Sequence, residues 1–92
     1  MRVSIDLSAV RKTLKKIPIH IVDKLHYWAR SIEKFGILEV RKVHGYHDEP
    51  LKGQRFGQRS IRLSKAYRAV YVEKHNAEIE IIEVIEVSKH DY

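Results

Sequence analysis

Ninety-two residues suffice for one domain, residues 1–92, with a thin hydrophobic core and are too few for two. The chain has no cysteine, which excludes a disulfide framework and a thiolate zinc site and fits a reducing cytoplasm. Lys and Arg outnumber Asp and Glu 18 to 12, for a formal charge of +6, and no N-terminal run is apolar enough for a signal peptide or a membrane span. The expected partner is therefore a polyanion rather than a bilayer.

Val3, Ile5 and Leu7 alternate with Arg2, Ser4 and Asp6, which predicts a strand with one buried face. Ser8 stands where it can cap a helix whose apolar positions are Val10, Leu14 and Ile17. Pro18 ends that helix and can open the next. The second helix carries the clearest stripe, Ile21, Leu25, Trp28, Ile32 and Phe35, widened by Val22 and Ala29 and stopped by Gly36. Trp28 sits inside this stripe and reads as core rather than as a base-stacking residue.

Ile37 to Val43 predicts a short third helix, and Gly45 to Gly57 a loop punctuated by Pro50 and Gly53. Three strands are expected after it: 58–64, 67–73 and 78–87, with a turn at His75-Asn76-Ala77. The apolar phase of the last strand slips between Ile81 and Ile82, which implies a bulge or burial on both faces. Strand, helix, helix and a three-stranded meander make an α+β fold: an antiparallel twisted sheet with a two-helix hairpin on one face. The first strand must join at an edge or beside the last strand, and the other face of the sheet is left open for a ligand.

The charge is concentrated. Between Glu49 and Glu73 stand Lys52, Arg55, Arg59, Arg62, Lys65 and Arg68, with no acid among them. This pattern fits an RNA-binding face, with Lys52, Arg55, Arg59 and Arg62 as phosphate-binding residues. Metal-free RNA cleavage needs a base for the 2′-hydroxyl, an acid for the leaving 5′-oxygen and fixed cations where charge grows on the phosphate. The sequence offers Glu49 as base, His90 or Tyr92 as acid, and Lys52, Arg62 and Arg68 as cations. Each has a plainer reading: Glu49 and Lys52 as an exposed ion pair, Arg62 as a solvated strand residue, His90 as a tail. The pairs His20/His26 and His44/His47 lack a compact set of acid or Cys partners, so neither a metal site nor a cofactor is expected.

At these residues the chain resembles the RelE/ParE superfamily of bacterial toxins, and within it the YoeB/HigB-type mRNA interferases. Glu49-Pro50-Leu51-Lys52-Gly53 resembles the loop before the sheet in that family. Ser60-Ile61-Arg62 and Tyr67-Arg68-Ala69-Val70-Tyr71 resemble its two central strands, and His90-Asp91-Tyr92 its His-Tyr terminus. The resemblance implies a ribosome-dependent endoribonuclease that cuts mRNA, arrests translation and is neutralised by a cognate antitoxin. It further implies Glu49 as general base, Arg68 as transition-state cation, His90 as general acid, Lys52 and Arg62 as phosphate ligands, and Tyr92 as an orienting or stacking residue. Asp91 interrupts the family's His-Tyr pair, and His47 is an alternative base, as a loop histidine is in the YafQ branch. Two rival functions are weighed against it: a ParE-like DNA gyrase poison without nuclease activity, which shares the fold but does not need Glu49, Arg68 and His90 together, and a non-catalytic RNA- or ribosome-binding module.

Overall fold

The computed structural model describes residues 2–89, and their core is laid down by one long helix. Helix α2, as the second helix is named, spans Ile19–Phe35. Pro18 at its N-cap has φ −52°, and Gly36 at its end adopts φ +86°, from which its amide donates to the Ile32 carbonyl at 2.7 Å. Only glycine takes that backbone without a Cβ penalty. Ile21, Leu25, Trp28, Ala29 and Ile32 are buried. Phe35 departs from the expected stripe and is exposed, lining an open groove with Tyr27 and Val43.

The first helix is shorter than its apolar spacing implies: a 3-10 turn, Ser8–Val10, and then one turn of α1, Arg11–Leu14. Ser8 does not cap it. The Asp6 carboxylate accepts from the Ser8 amide at 2.9 Å and from the Ser8 hydroxyl at 2.7 Å, which holds the Asp6 carboxyl below its ordinary value. Helix α3, Ile37–Arg41, follows α2 directly and buries Ile37 and Val40.

The sheet holds β1 (Arg2–Asp6), β2 (Glu49–Pro50), β3 (Arg59–Arg62), β4 (Tyr67–His75) and β5 (Ile79–Lys89), in the order β1-β5-β4-β3-β2. The expected α+β architecture and the β3–β4–β5 meander are present. The sheet is mixed, because β1 lies beside β5 and runs parallel to it, Ile5 opposite Ile82. No tight turn joins these two strands, so nothing local forces an antiparallel pairing. Strand β2 lies inside the expected loop; two residues carry no periodicity to reveal it.

The core lies between the helices and one face of the sheet, where Ile61, Leu63, Ala69, Tyr71, Ile82, Val84 and Val87 meet Leu25, Trp28 and Ile32. The phase slip of β5 is resolved at Ile85, not at Ile81/Ile82. Tyr71 pairs with Val84 and Val70 with Glu86, leaving Ile85 as the extra residue of a bulge. The bulge returns Val87 to the helix side three residues after Val84 and turns Glu86 to the open face beside Val70.

On that open face the 3-10 turn Gly53–Arg55 reaches across the sheet. Arg55 donates to Glu86 at 2.9 Å and to Gln58 at 2.7 Å. Burial acts to raise the Glu86 carboxyl, but the Ser88 hydroxyl and the Arg55 guanidinium outweigh it and leave it below the ordinary 4.5. Its contribution to stability is therefore complete above pH 4.5 and lost as pH falls further. Two outcomes are expected. Leu25→Ala destabilises by about 2–5 kcal/mol in thermal or denaturant melts, whereas Tyr27→Ala changes stability by less than about 0.5 kcal/mol. Glu86→Gln lowers Tm at neutral pH, and its difference from wild type shrinks as melts are repeated at pH values falling below 4.5, where Glu86 takes up its proton.

Candidate functional site

Alternation along the strands sorts the polar residues onto two faces. Glu49 pairs with Ser60, Ser60 with Val70, and Val70 with Glu86, so these four form one row across the open face. The next row is Arg62, Arg68 and Ser88. Arg62 and Arg68 are thus direct cross-strand neighbours. Like charges at such a pair repel, and no acidic residue stands in their row. Arg68 is half-buried, and its Nε–H has no hydrogen-bond partner among the described residues.

These arginines line a cavity of about 140 Å³ together with Glu49, His47, Ser60 and Lys65. Ser64 shapes the turn between β3 and β4: its hydroxyl accepts from the amides of Ala66 and Tyr67, both at 3.1 Å, which fixes Lys65 at the cavity rim. His47 adopts φ +45°, a left-handed conformation that is uncommon for any residue but glycine, and this carries its ring to the same cavity. A carboxylate and three cationic side chains, Arg62, Lys65 and Arg68, thus line one concave patch. A larger groove, about 880 Å³, lies on the helix side by Tyr27 and Phe35, but the cation set is not there.

The structure therefore brings together Glu49, His47, Arg62 and Arg68. Arg55 shares their face but is paired with Glu86. Lys52 is exposed just beyond β2 and does not line the cavity. Arg59 is not with the group. It sits in the row of Tyr71, on the helix-packed side, and its Nε–H donates to Asp48 at 2.6 Å. The run of basic residues registers charge but not the strand alternation that separates Arg59 from Arg62. His90 and Tyr92 lie outside the described residues. Among the described residues no three His, Asp or Glu side chains converge as a metal-ligand set.

Sequence reasoning passed over Asp48, Tyr71 and Arg41. Asp48 accepts from Arg59 and from the Tyr71 hydroxyl, Arg41 donates to the Tyr71 oxygen at 3.1 Å and also pairs with Glu73, and the Arg41 Nε lies 3.8 Å from Asp48. The one available signal was the adjacency of two acids, Asp48 and Glu49, which a strand must send to opposite faces.

No protein-family model matches the chain, and no curated protein matches it. Solved structures do. The chain is similar to the YoeB/ParE toxin from Agrobacterium tumefaciens, with 22% identity, 99% of this chain and 100% of that chain covered and a TM-score of 0.68. It is similar to YoeB in the YoeB–YefM complex from Staphylococcus aureus, with 22% identity, 99% and 98% coverage and a TM-score of 0.65. It is similar to YafQ from Escherichia coli, with 17% identity, 98% and 94% coverage and a TM-score of 0.64. Over nearly its whole length the chain has the fold of the YoeB, YafQ and RelE/ParE toxins.

Proposed function

We propose that this chain is the toxin of a bacterial type II toxin–antitoxin pair and acts as a ribosome-dependent mRNA endonuclease. The observation that carries the reading is the cross-strand pair Arg62–Arg68, with no acid in its own row, beside Glu49 in one cavity. Two adjacent guanidiniums fit the oxygens of one phosphate, and phosphate binding relieves their mutual repulsion. The shared fold and the family resemblance of the motifs support the same reading.

In this mechanism Glu49, or His47 beside it, accepts the proton of a 2′-hydroxyl. The 2′-oxygen attacks the adjacent phosphorus, a 2′,3′-cyclic phosphate forms, and the P–O5′ bond breaks. His90 returns a proton to the leaving 5′-oxygen. Negative charge grows on the equatorial oxygens, where Arg68 and Arg62 meet it, while Lys52 holds phosphate in ground and transition states alike. Tyr92 orients or stacks on a base. So open a site has few means of aligning the 2′-hydroxyl with the scissile bond, and the ribosome supplies that alignment.

The YoeB relative was solved with YefM, which supports a cognate antitoxin for this chain. An acidic, partly disordered segment that folds over Arg62 and Arg68 would occupy the position of the RNA phosphate. The Agrobacterium relative bears the names of both YoeB and ParE, so the gyrase-poison reading is kept as the alternative.

Mapping RNA ends after induction in cells separates the two. New 5′ ends within codons and an early stop in amino-acid incorporation are expected; intact mRNA with blocked replication would establish the gyrase reading instead. For the chemistry, Arg68→Ala should lower the single-turnover cleavage rate on programmed ribosomes by about a hundredfold to a thousandfold at unchanged Tm. A wild-type rate in that folded variant removes Arg68 from the mechanism.

A further inference from the structure

Asp48 performs no chemistry in the reaction above, yet its side chain is only 1% exposed. A buried carboxylate is tolerated only when paired and hydrogen-bonded, and Asp48 is both. Arg59 donates to one oxygen at 2.6 Å, and Tyr71 donates its hydroxyl to the other. Arg59 and Tyr71 are themselves cross-strand partners, so the two donors come from β3 and β4 as one rigid unit.

The segment they hold is framed by the buried Tyr46 on one side and by the bond from the Leu51 amide to the Gln58 carbonyl on the other, but the strand between them is short. Strand β2 has two residues, lies at the sheet edge and pairs only with β3. One of the two is Pro50, which has no N–H to give the ladder. Directly before Asp48 stands His47 in a left-handed conformation, which the surroundings must enforce. A slip of one residue would exchange Asp48 and Glu49 between faces, taking the carboxylate of Glu49 away from the cavity.

We propose that Asp48 is a positioning residue for Glu49: anchored on the helix-packed side by Arg59 and Tyr71, it fixes the register of β2 and thereby aims Glu49 at the cavity that holds Arg62 and Arg68. The inference rests on Glu49 as the general base of the proposed reaction. It assigns Arg59, a member of the basic run, to holding the site together rather than to binding RNA.

The test is a double-mutant cycle with an independent readout of register. Asp48→Asn keeps the shape but removes the charge and one acceptor. In the native background it should lower the single-turnover rate on programmed ribosomes about tenfold to a hundredfold, with ribosome affinity unchanged, because misplacement affects the reacting geometry and leaves the phosphate-binding cations in place. In a Glu49→Gln background the same substitution should cost nothing further. Equal losses in both backgrounds would overturn the proposal, since a general structural defect does not depend on Glu49. Tyr71→Phe removes one hydroxyl only and carries the same comparison if Asp48→Asn melts below the assay temperature. Independently of activity, amide exchange should accelerate at least about tenfold at Leu51, whose N–H donates to the Gln58 carbonyl at 2.8 Å, and not at Ile82 in β5. Unchanged exchange at Leu51 overturns the proposal whether or not the native protein cleaves RNA. Native protein that cuts nothing defeats the functional reading alone, and the exchange measurement then decides the inference.

Discussion

Tyr71 joins the two halves of this molecule. Its ring packs against Trp28 with centroids 5.2 Å apart and planes inclined by 52°, inside the core between α2 and the sheet. Its hydroxyl leaves that core and donates to Asp48, one residue before Glu49. Burial raises the hydroxyl above the ordinary phenol value and the Asp48 carboxylate adds to this, while Arg41 opposes both. The hydroxyl therefore stays protonated and remains a donor at any physiological pH. Tyr71, with Arg59, thus links the packing of a helix onto the sheet to Asp48, the residue immediately before the edge strand.

The sheet uses arginine in two opposite ways on its two faces. On the helix-packed side Arg59 and Arg41 are neutralised by Asp48 and Glu73, so their charge is spent within the fold. On the open side Arg62 and Arg68 face each other with no carboxylate in their row. Arg55 stands between these cases, sharing the open face but held by Glu86. Residue type does not distinguish the three roles. The pleat distinguishes Arg59 from Arg62, and the β5 bulge at Ile85 supplies Glu86 to Arg55 by turning it to the open face.

This explains which parts were legible in the sequence. The stripe from Ile21 to Ile32 is a local signal of period 3.6, and it placed α2 and its core face. The alternation of Ile61 and Leu63 with Ser60 and Arg62 is a local signal of period 2, and it placed Arg62 on the open face. The partner of Arg59 is Asp48, eleven positions away, and no periodicity links them. Strand β2 is too short to have a period, the short first helix yields to a turn beside the Asp6–Ser8 contact, and the bulge sits at Ile85 because pairing with Tyr71 and Val70 decides it. The Arg59 partner and the bulge arise from contacts distant in sequence, whereas the first helix is cut short beside a local Asp6–Ser8 turn and β2 is too brief to carry any pattern.

The pair Arg62–Arg68, with no acid in its row, has an energetic consequence for the proposed function. Cross-strand repulsion is a cost carried by the free protein. Any ligand that neutralises the pair removes that cost and stabilises the folded state by binding it preferentially. RNA phosphate and an antitoxin carboxylate would be equivalent in this respect, because in the proposed function each brings anionic oxygens to the same two guanidiniums. Inhibition then needs no separate regulatory site. On the proposed function, an acidic segment settling on this row would both stabilise the protein and exclude its substrate, so that the two side chains proposed to bind RNA would also make the free protein responsive to its inhibitor.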